Sequence, residues 1–286
     1  MHPKNRKKVK EIKIIEQSIV PKHPDGKCED GIVVTNDYIA VIDGSTSKTD
    51  RRYSKRSSNG RYCMKIVARY VRHAQGDLIC QQFCDGVTGV IAKHYGRRKL
   101  SWLMEHPEER LTVSAIVYSR QRREIWMIGD CHCLVTRFYS TRAPRTTYYD
   151  NPKPSEQELA EQRAAIIKAS TDGQEHFLQH DTAREAILPR MIETMQGQNK
   201  TYAVIDGFPI PQQHVRIIKL NLGQREIVLA SDGYPFLEPT LEASEQRLAW
   251  QREHDPLNIG QFKATKAFLP DGNGFDDRSY IRFRVV

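Results

Sequence analysis

The chain has 286 residues, of which 39% are hydrophobic and 28% are charged, a balance typical of a globular protein. No apolar run reaches the length of a membrane span, and 6 cysteines in a chain of this length do not make a disulfide framework. The net charge of +9 suits an acidic partner, but the basic residues are scattered and no nucleic-acid motif accompanies them. The same positive charge would suit a phosphorylated substrate equally well.

The first elements in the chain are strands. Residues 11–20 alternate between polar and apolar side chains and predict a strand that ends at Pro21. Two short apolar strands follow between Cys28 and Gly44, and they are joined by Asn36-Asp37, a pair that tolerates the positive φ of a type I′ hairpin. In that register Asp30 faces Asp43. Alternation places both on the same face of the hairpin as an apolar stripe that is expected to be buried, made of Ile32, Val34, Ile39 and Val41.

The two carboxylates at the end of this stripe are the first functional signal. Residues that face each other across a strand pair have Cβ atoms roughly 5 Å apart, and like charges at that separation are unfavourable. A divalent cation between Asp30 and Asp43 would relieve the repulsion. The alternative is that Asp43-Gly44 is ordinary turn chemistry and that Glu29-Asp30 is solvated.

Helical and strand patterns alternate in the rest of the chain. Residues 62–95 carry two amphipathic helical patterns, and residues 112–119, 124–128 and 134–139 predict an antiparallel meander. Residues 141–200 differ in composition and predict a helical insertion or flap within a single domain of residues 1–286. Its helices are expected to run from Ser155 to Lys168 and from Asp181 to Met195. Strands are expected again at 201–205, 215–220, 226–230 and 279–286, with a helix at 241–252.

Acidic residues occur where several apolar strands start or stop. They come from distant parts of the sequence, as a site at one end of a sheet requires. Hard oxygen ligands with no neighbouring His or Cys suit magnesium or manganese. Because one magnesium ion keeps most of its waters, this many carboxylates predict a two-metal cluster with Asp43 as the bridge. The sites are Glu29-Asp30, Asp43-Gly44, Asp232-Gly233 and Asp276-Asp277.

These motifs and their order resemble the metal-dependent protein phosphatase family, the type 2C serine/threonine phosphatases. The resemblance spans nearly the whole chain and implies an α+β fold, a four-layer α/β/β/α sandwich of two antiparallel sheets flanked by helices. It also implies a magnesium- or manganese-dependent phosphomonoesterase that acts on phosphoserine or phosphothreonine in proteins. The matching stretches are Glu29-Asp30, Asp43-Gly44, Gly129-Asp130-Cys131, Ser231-Asp232-Gly233 and Asp276-Asp277.

The same resemblance implies a ligand set for two Mg²⁺ or Mn²⁺ ions. Asp43 would lie between the ions, with Asp232 and Asp276 as further catalytic carboxylates. A water bridging the ions would attack the phosphomonoester in line, without a phosphoenzyme intermediate. The remaining implied ligands are the Gly44 carbonyl and, through water, Asp30 or Glu29.

The chain departs from the family pattern in its substrate contacts. Ser45-Thr46-Ser47 stands where the family has His-Gly-Gly, so the usual general acid is absent or replaced. The family's phosphate-binding arginine has no clear match, and Lys27 or Lys22 is expected to substitute as a point charge.

The sequence also contains acidic residues outside this ligand set. A third-metal carboxylate would have to come from Glu108 or Glu109. Asp130 is expected to be a hydrogen-bonding turn residue, and Asp206, in a second Asp-Gly, a structural one.

Two other functions stay open at this point. The chain could be a catalytically weak or inactive phosphatase-like module that binds a phosphorylated partner, which the missing histidine and arginine favour. It could also bind nucleic acid through its basic surface, which is the less favoured reading. The basic N-terminus runs into a strand-like segment and not into an apolar signal core, so a cytoplasmic location without membrane contact is expected. The oligomeric state is left open.

Overall fold

The structure, a computed structural model, describes residues 12–96, 99–170, 177–178 and 180–285. The strands are β1 (Lys13–Val20), β2 (Gly31–Val34), β3 (Tyr38–Gly44), β4 (Val113–Ser119), β5 (Glu124–Ile128), β6 (His132–Arg137), β7 (Arg145–Tyr149), β8 (Arg216–Lys219), β9 (Arg225–Ala230) and β10 (Arg278–Val285). The helices are α1 (Asn59–His73), α2 (Cys80–Ala92), α3 (Leu100–Glu105), α4 (Glu156–Ser170), α5 (Thr182–Thr194) and α6 (Leu241–His254).

The strands form two antiparallel five-stranded sheets, in the orders β1-β10-β9-β6-β7 and β2-β3-β4-β5-β8. An apolar core fills the space between the sheets, and α1 and α2 bury a second core against the outer face of the β3 sheet. A smaller cluster covers the outer face of β9 and β10. The α+β sandwich of two antiparallel sheets flanked by helices is thus confirmed.

The β2–β3 hairpin has the predicted register, with Ile32 opposite Val41 and Val34 opposite Ile39. Ile39 and Val41 face the other sheet, while alternate residues of β3 pack against α1 and α2. Both faces of β3 are therefore buried, as its apolar sequence requires. Val34 is nevertheless 47% exposed, because β2 is an edge strand and its outer end is not covered by the other sheet.

The loop of this hairpin differs from the predicted type I′ turn. Among the described residues other than glycine, positive φ occurs only at Arg123, Asn199 and Asn258, and so not at Asn36 or Asp37. Instead the Thr35 hydroxyl accepts hydrogen bonds from the backbone N–H groups of Asp37 (3.2 Å) and Tyr38 (2.9 Å). A threonine side chain therefore organises the turn, and left-handed backbone is not needed.

The predicted three-strand meander is wrong after β5. β5 pairs with β4 and β8, whereas β6 pairs with β9 and β7 in the other sheet. The chain crosses between the sheets at Gly129, whose φ of 101° is a conformation that glycine adopts without strain. This crossing carries Asp130 to the end of the sandwich where both sheets meet.

Two further strand assignments need correction. Residues 201–205 form no strand but two isolated bridges, Val113 with Ile205 and Gln198 with Tyr202, because this segment meets the end of β4 and does not run along it. Residues 145–149, which fall within the helical insertion or flap expected at 141–200, form the edge strand β7. Its mostly exposed Arg and Thr side chains gave no alternating apolar signal.

The helices expected between 141 and 200 are present as α4 and α5, and Pro189 lies inside α5. The fully buried Arg163 connects them: its Nε donates to Asp181 Oδ2 (2.9 Å), and its Nη1 donates to the carbonyls of Leu257 (2.8 Å) and Ala264 (3.0 Å). The two helices therefore hold the loop before β10 in place. That residues 1–286 form a single domain stays a prediction. None of the helices in the described ranges has both the length and the apolar character needed to cross a membrane.

A buried ion pair on β9 gives a first testable prediction. Glu226 accepts hydrogen bonds from Arg282 Nε (3.0 Å) and Arg284 Nε (3.1 Å) of β10. Burial alone would raise the pKa of Glu226, but these arginines bring it below its ordinary value. We expect Glu226→Gln to lower the free energy of unfolding in urea by about 2 kcal/mol at pH 7.

The pH dependence of this loss has a definite sign. Because the folded-state pKa of Glu226 is depressed, its contribution is present above the ordinary glutamate pKa and disappears as the pH falls through the folded value. The difference between wild type and Glu226→Gln should therefore shrink in acid. Glu242→Gln on the exposed face of α6 is the matched control, and equal stability losses in the two variants would contradict the prediction.

Candidate active site

A cavity of about 580 Å³ opens where the ends of the two sheets meet. Its floor is formed by the end of β3, the crossing after β5 and the turn after β9. Its walls come from α4, α5 and the loop before β10, which adds apolar groups such as Phe262 and Phe275. The sequence-predicted residues that line it are Asp43, Gly44, Asp232 and Asp276, and they are joined by Asp130.

Asp43 lies at the centre of the acidic group. It ends β3 opposite Ser114 of β4, and no hydrogen bond to its carboxylate is found within the described part of the chain. Burial raises the pKa of Asp43 well above its ordinary value, and the charges of Asp232, Asp30 and Asp130 raise it further. A carboxylate surrounded by carboxylates and without a donor is a place for a cation.

Asp30 and Glu29 contribute buried oxygens that lack partners. Asp30 lies just before the paired part of β2, and its Oδ2 accepts a hydrogen bond from Ser279 Oγ (2.9 Å). Within the described ranges, Asp30 Oδ1 and Glu29 Oε1 are buried without any hydrogen-bond donor. Burial raises the pKa of Asp30 to about 7, hydrogen bonds from Ser231 and Ser279 oppose the rise, and the charge of Asp232 adds to it. Unsatisfied carboxylate oxygens of this kind are costly unless an ion binds them.

Asp276 and Asp277 have different environments although they are adjacent. Asp277 accepts hydrogen bonds from the backbone N–H groups of Lys22 (2.7 Å) and Glu29 (2.8 Å), so both of its oxygens hold the segment before β2. Asp276 lines the cavity, where Lys266 and Lys22 (3.4 Å) pair with it. Asp276 is therefore the member of the pair that faces the cavity.

A further acidic group was not expected from the sequence. Asp130, Glu156 and Asp232 each have a carboxylate oxygen within 4.8 Å of the others. Asp130 is also hydrogen-bonded by Ser114 and paired with Lys153, which fits the turn role that was expected for it. Burial raises the pKa of Glu156 to about 7, and the charges of Asp130 and Asp232 act in the same direction. Glu156 is simply the first residue of α4, and nothing in the sequence pattern singled it out.

The residues considered for a third metal lie elsewhere. Glu109 pairs with Arg51 (2.9 Å), and Glu108 contacts His106 (2.9 Å). Neither is among the residues that line the cavity. Asp206 is fully buried in an ion pair with Arg110 (2.8 Å), which fits the structural role expected for it.

Gly44 packs closely against the start of α1. A Cβ atom built on Gly60 would lie 2.7 Å from the Gly44 carbonyl oxygen and 2.8 Å from Glu29 Oε1. Side chains are excluded here because two backbone segments and a predicted ligand share the same space. The start of α1 therefore packs in direct contact with Gly44 and Glu29.

The two lysines that the sequence suggested for the phosphate differ in position. Lys27 is exposed, whereas Lys22 reaches Thr46 Oγ1 (3.1 Å) and Asp276, and neither is among the residues that line the cavity. The lysines that line the cavity are Lys48, Lys153, Lys263 and Lys266. The sequence offered no signal for them, since they come from loops without a recognisable motif.

The donor chemistry of the site fits hard divalent cations. Burial, followed by the charges of Asp30 and Asp277, raises the pKa of the Cys28 thiol to about 12, so this cysteine stays protonated beside Asp30. All six cysteines are free and buried, as expected. His132 is held between the Ser231 carbonyl (2.8 Å) and Tyr148 (3.0 Å). Carboxylate and carbonyl oxygens are therefore the donors that remain for an ion, a set suited to Mg²⁺ or Mn²⁺.

No protein-family model and no curated protein sequence matches the chain significantly. Solved structures do match it. The Mycobacterium tuberculosis serine/threonine phosphatase PstP/Ppp aligns with 95% of this chain and 97% of its own, at 12% identity and a TM-score of 0.44. The Staphylococcus aureus serine/threonine phosphatase Stp1 covers 95% of both chains, at 14% identity and a TM-score of 0.45.

A third structure, the PPM Ser-Thr phosphatase MsPP from Mycobacterium smegmatis, aligns with 96% of this chain and 98% of its own, at 11% identity and a TM-score of 0.43. At such values the similarity does not by itself indicate an activity or a substrate. Over almost its whole length, the chain is thus similar to these three solved serine/threonine phosphatase structures.

Proposed function

We propose that the chain is a magnesium- or manganese-dependent phosphomonoesterase that dephosphorylates phosphoserine and phosphothreonine in proteins. The observation that supports this most is the environment of Asp43, which lines the cavity with Asp232 and Asp276 and lies in the field of the buried Asp30. Such a group of like charges, with buried oxygens that no described donor satisfies, is what an oxygen-ligated metal pair requires.

The proposed roles follow from the positions of the oxygens. Asp43 would be a ligand of both ions, and Asp232 and Asp276 would be further ligands. Asp30 or Glu29 would bind an ion through water. The Gly44 carbonyl is the remaining donor at the end of β3. Bound divalent cations would supply a water of lowered pKa and would neutralise charge on the phosphoryl oxygens. Lys22 and Lys266 hold Asp276 at the cavity wall.

The cavity lacks, directly after Asp43-Gly44, the histidine that the family uses as a general acid. Ser45 and Thr46 line it where the family has a histidine nearby, and Thr46 donates its hydroxyl hydrogen to Glu29 Oε2 (2.5 Å). Substrates with good leaving groups depend least on such an acid. An aryl phosphate such as p-nitrophenyl phosphate is therefore the most sensitive first substrate.

Hydrolysis of p-nitrophenyl phosphate with Mn²⁺ tests the proposal, with Asp232→Ala as the variant. Asp232 belongs to both acidic groups of the cavity, so its loss should lower the Mn²⁺-dependent rate roughly 10³-fold, as expected when several kcal/mol of charge stabilisation are removed. Asp271→Ala, in the exposed part of the loop before β10, should keep wild-type activity. Hydrolysis that needs no metal, or a fully active Asp232→Ala variant, would count against the proposal.

A phosphatase-like binding module without turnover is the second candidate. It is favoured by the ammonium groups of Lys22 and Lys266, which already neutralise Asp276, and by the absence of the family's histidine. Calorimetric titration with Mn²⁺, paired with the turnover assay, separates the two functions. Tight metal binding with no hydrolysis of aryl phosphates or phosphopeptides would favour the module. The cytoplasmic location stays a prediction.

A further inference from the structure

Lys48 lines the cavity without a counter-charge, unlike Lys153 and Lys266. It lies in the loop after β3 and lines the cavity together with Asp43 and Asp232. Its Nζ donates one hydrogen bond, to the Thr46 carbonyl (2.7 Å). Over the described residues, no carboxylate lies within ion-pair distance of this ammonium group. By contrast, Lys153 and Lys266 pair with Asp130 and Asp276.

The charges around Lys48 are themselves positive. Burial lowers the pKa of Lys48 to about 7, and the charges that lower it further are those of Lys266, Arg184, Lys153 and Lys22. A half-buried ammonium group with unused donors and cationic neighbours is unfavourable on its own. An anion bound among these groups would remove that cost.

The loop that carries Lys48 is held in place. The neighbouring Thr49 donates its hydroxyl hydrogen to Glu109 Oε2 (3.1 Å), and Arg51 Nε donates to the same oxygen (2.9 Å). Arg51 also lies over the Trp102 ring, with its guanidinium carbon 4.4 Å from the ring centroid. Glu109 therefore anchors the part of the loop that directly follows Lys48.

We propose that Lys48 binds the phosphoryl group of the substrate and so performs the task for which this chain has no matching arginine. The inference rests on the proposed function for the identity of the anion, a phosphomonoester dianion. Lysine binds phosphate as a point charge, with donors that rotate freely. The carboxylate side of the cavity would hold the metal ions, and Lys48 would provide positive charge from the loop after β3.

Binding of inorganic phosphate to the Mn²⁺-loaded protein tests this role without relying on turnover. Lys48→Met keeps most of the side-chain length and removes the charge. We expect it to weaken phosphate binding, measured by calorimetry, roughly tenfold to a hundredfold, and to raise the KM for p-nitrophenyl phosphate similarly. Mn²⁺ affinity should stay within about twofold of wild type, and Lys48→Arg should recover much of the phosphate affinity.

Lys263→Met is the matched control. Lys263 lines the same cavity but is not among the cations that act most strongly on Lys48. Its substitution should leave phosphate affinity close to the wild-type value. That result would show that the loss of a cavity lysine does not by itself weaken phosphate binding. Thermal melting checks that each variant is folded, and Lys48→Gln replaces Lys48→Met if that variant does not fold.

The outcomes separate this inference from the proposed function. Phosphate that binds wild type and Lys48→Met equally would overturn the role of Lys48, even if wild type is an active phosphatase. Failure of wild type to bind phosphate at millimolar concentration would also overturn it. If wild type binds phosphate and Lys48→Met does not, but neither turns over an aryl phosphate, the anion site stands and the phosphatase proposal fails.

Discussion

Replacing Asp43 by asparagine is expected to abolish Mn²⁺-dependent phosphatase activity and, in metal-free protein, to raise the melting temperature. The activity loss should reach roughly 10³-fold, because the proposed shared ligand of both ions would be lost. The stability gain has a separate cause. Asp43 is half-buried, desolvation raises its pKa, and Asp232, Asp30 and Asp130 repel its charge. A neutral amide of the same shape removes this repulsion.

The two effects are measured on the same samples, by p-nitrophenyl phosphate hydrolysis with Mn²⁺ and by thermal melting in a chelator. Added Mn²⁺ should raise the melting temperature of wild type, because ligand binding to the folded state stabilises it, and should have little effect on Asp43→Asn. Asp150→Asn is the control, since Asp150 also lines the cavity but is half exposed and pairs with Arg216 (3.6 Å). A metal-free Asp43→Asn protein that melts below wild type would contradict the electrostatic argument.

Gly60→Ala is expected to destabilise the protein by about 3 kcal/mol and to weaken Mn²⁺ binding at least tenfold. At an open helix position the same change would stabilise by about 1 kcal/mol. Here the new Cβ would lie 2.7 Å from the Gly44 carbonyl oxygen, which is a backbone atom and cannot rotate away as a side chain can. Because Glu29 Oε1 lies 2.8 Å from the same point, α1 must move away from two proposed metal ligands.

Gly89→Ala in α2 provides the matched control for this prediction. A Cβ atom built on Gly89 meets nothing within 4 Å, so its alanine variant should be about 1 kcal/mol more stable than wild type in urea unfolding. Its Mn²⁺ affinity, measured by calorimetry, should not change. If Gly60→Ala and Gly89→Ala behaved alike, close packing of α1 against Gly44 would not be the reason for a glycine at position 60.

Local pattern was enough to predict much of the fold. Alternation identified the β2–β3 hairpin and its register, and the strand expected at 226–230 is present as β9. Acidic residues at strand ends predicted a carboxylate group, and Asp43, Asp232 and Asp276 do line one cavity. These predictions succeed because strand period and strand-end chemistry are properties of a few neighbouring residues.

Other features depended on contacts between distant segments. The chain crosses between the sheets at Gly129, and only that crossing brings Asp130 to the acidic group. Glu156 joins the same group because α4 packs over the cavity. Lys48 has no sequence signal at all, since its missing counter-charge is a property of the groups that surround it in space.

The sequence by itself therefore determined most of the strands and helices and which carboxylates lie at strand ends. Tertiary structure alone decided which of the carboxylates face a common cavity and which accept hydrogen bonds from backbone N–H groups, as Asp277 does. It also decided that Lys48 donates to a carbonyl and pairs with no carboxylate of the described residues. The physical reason is the distance along the chain over which each effect acts. Periodicity and turn chemistry act over a few residues, whereas burial and electrostatic repulsion depend on every charge within several ångströms, whatever its place in the chain.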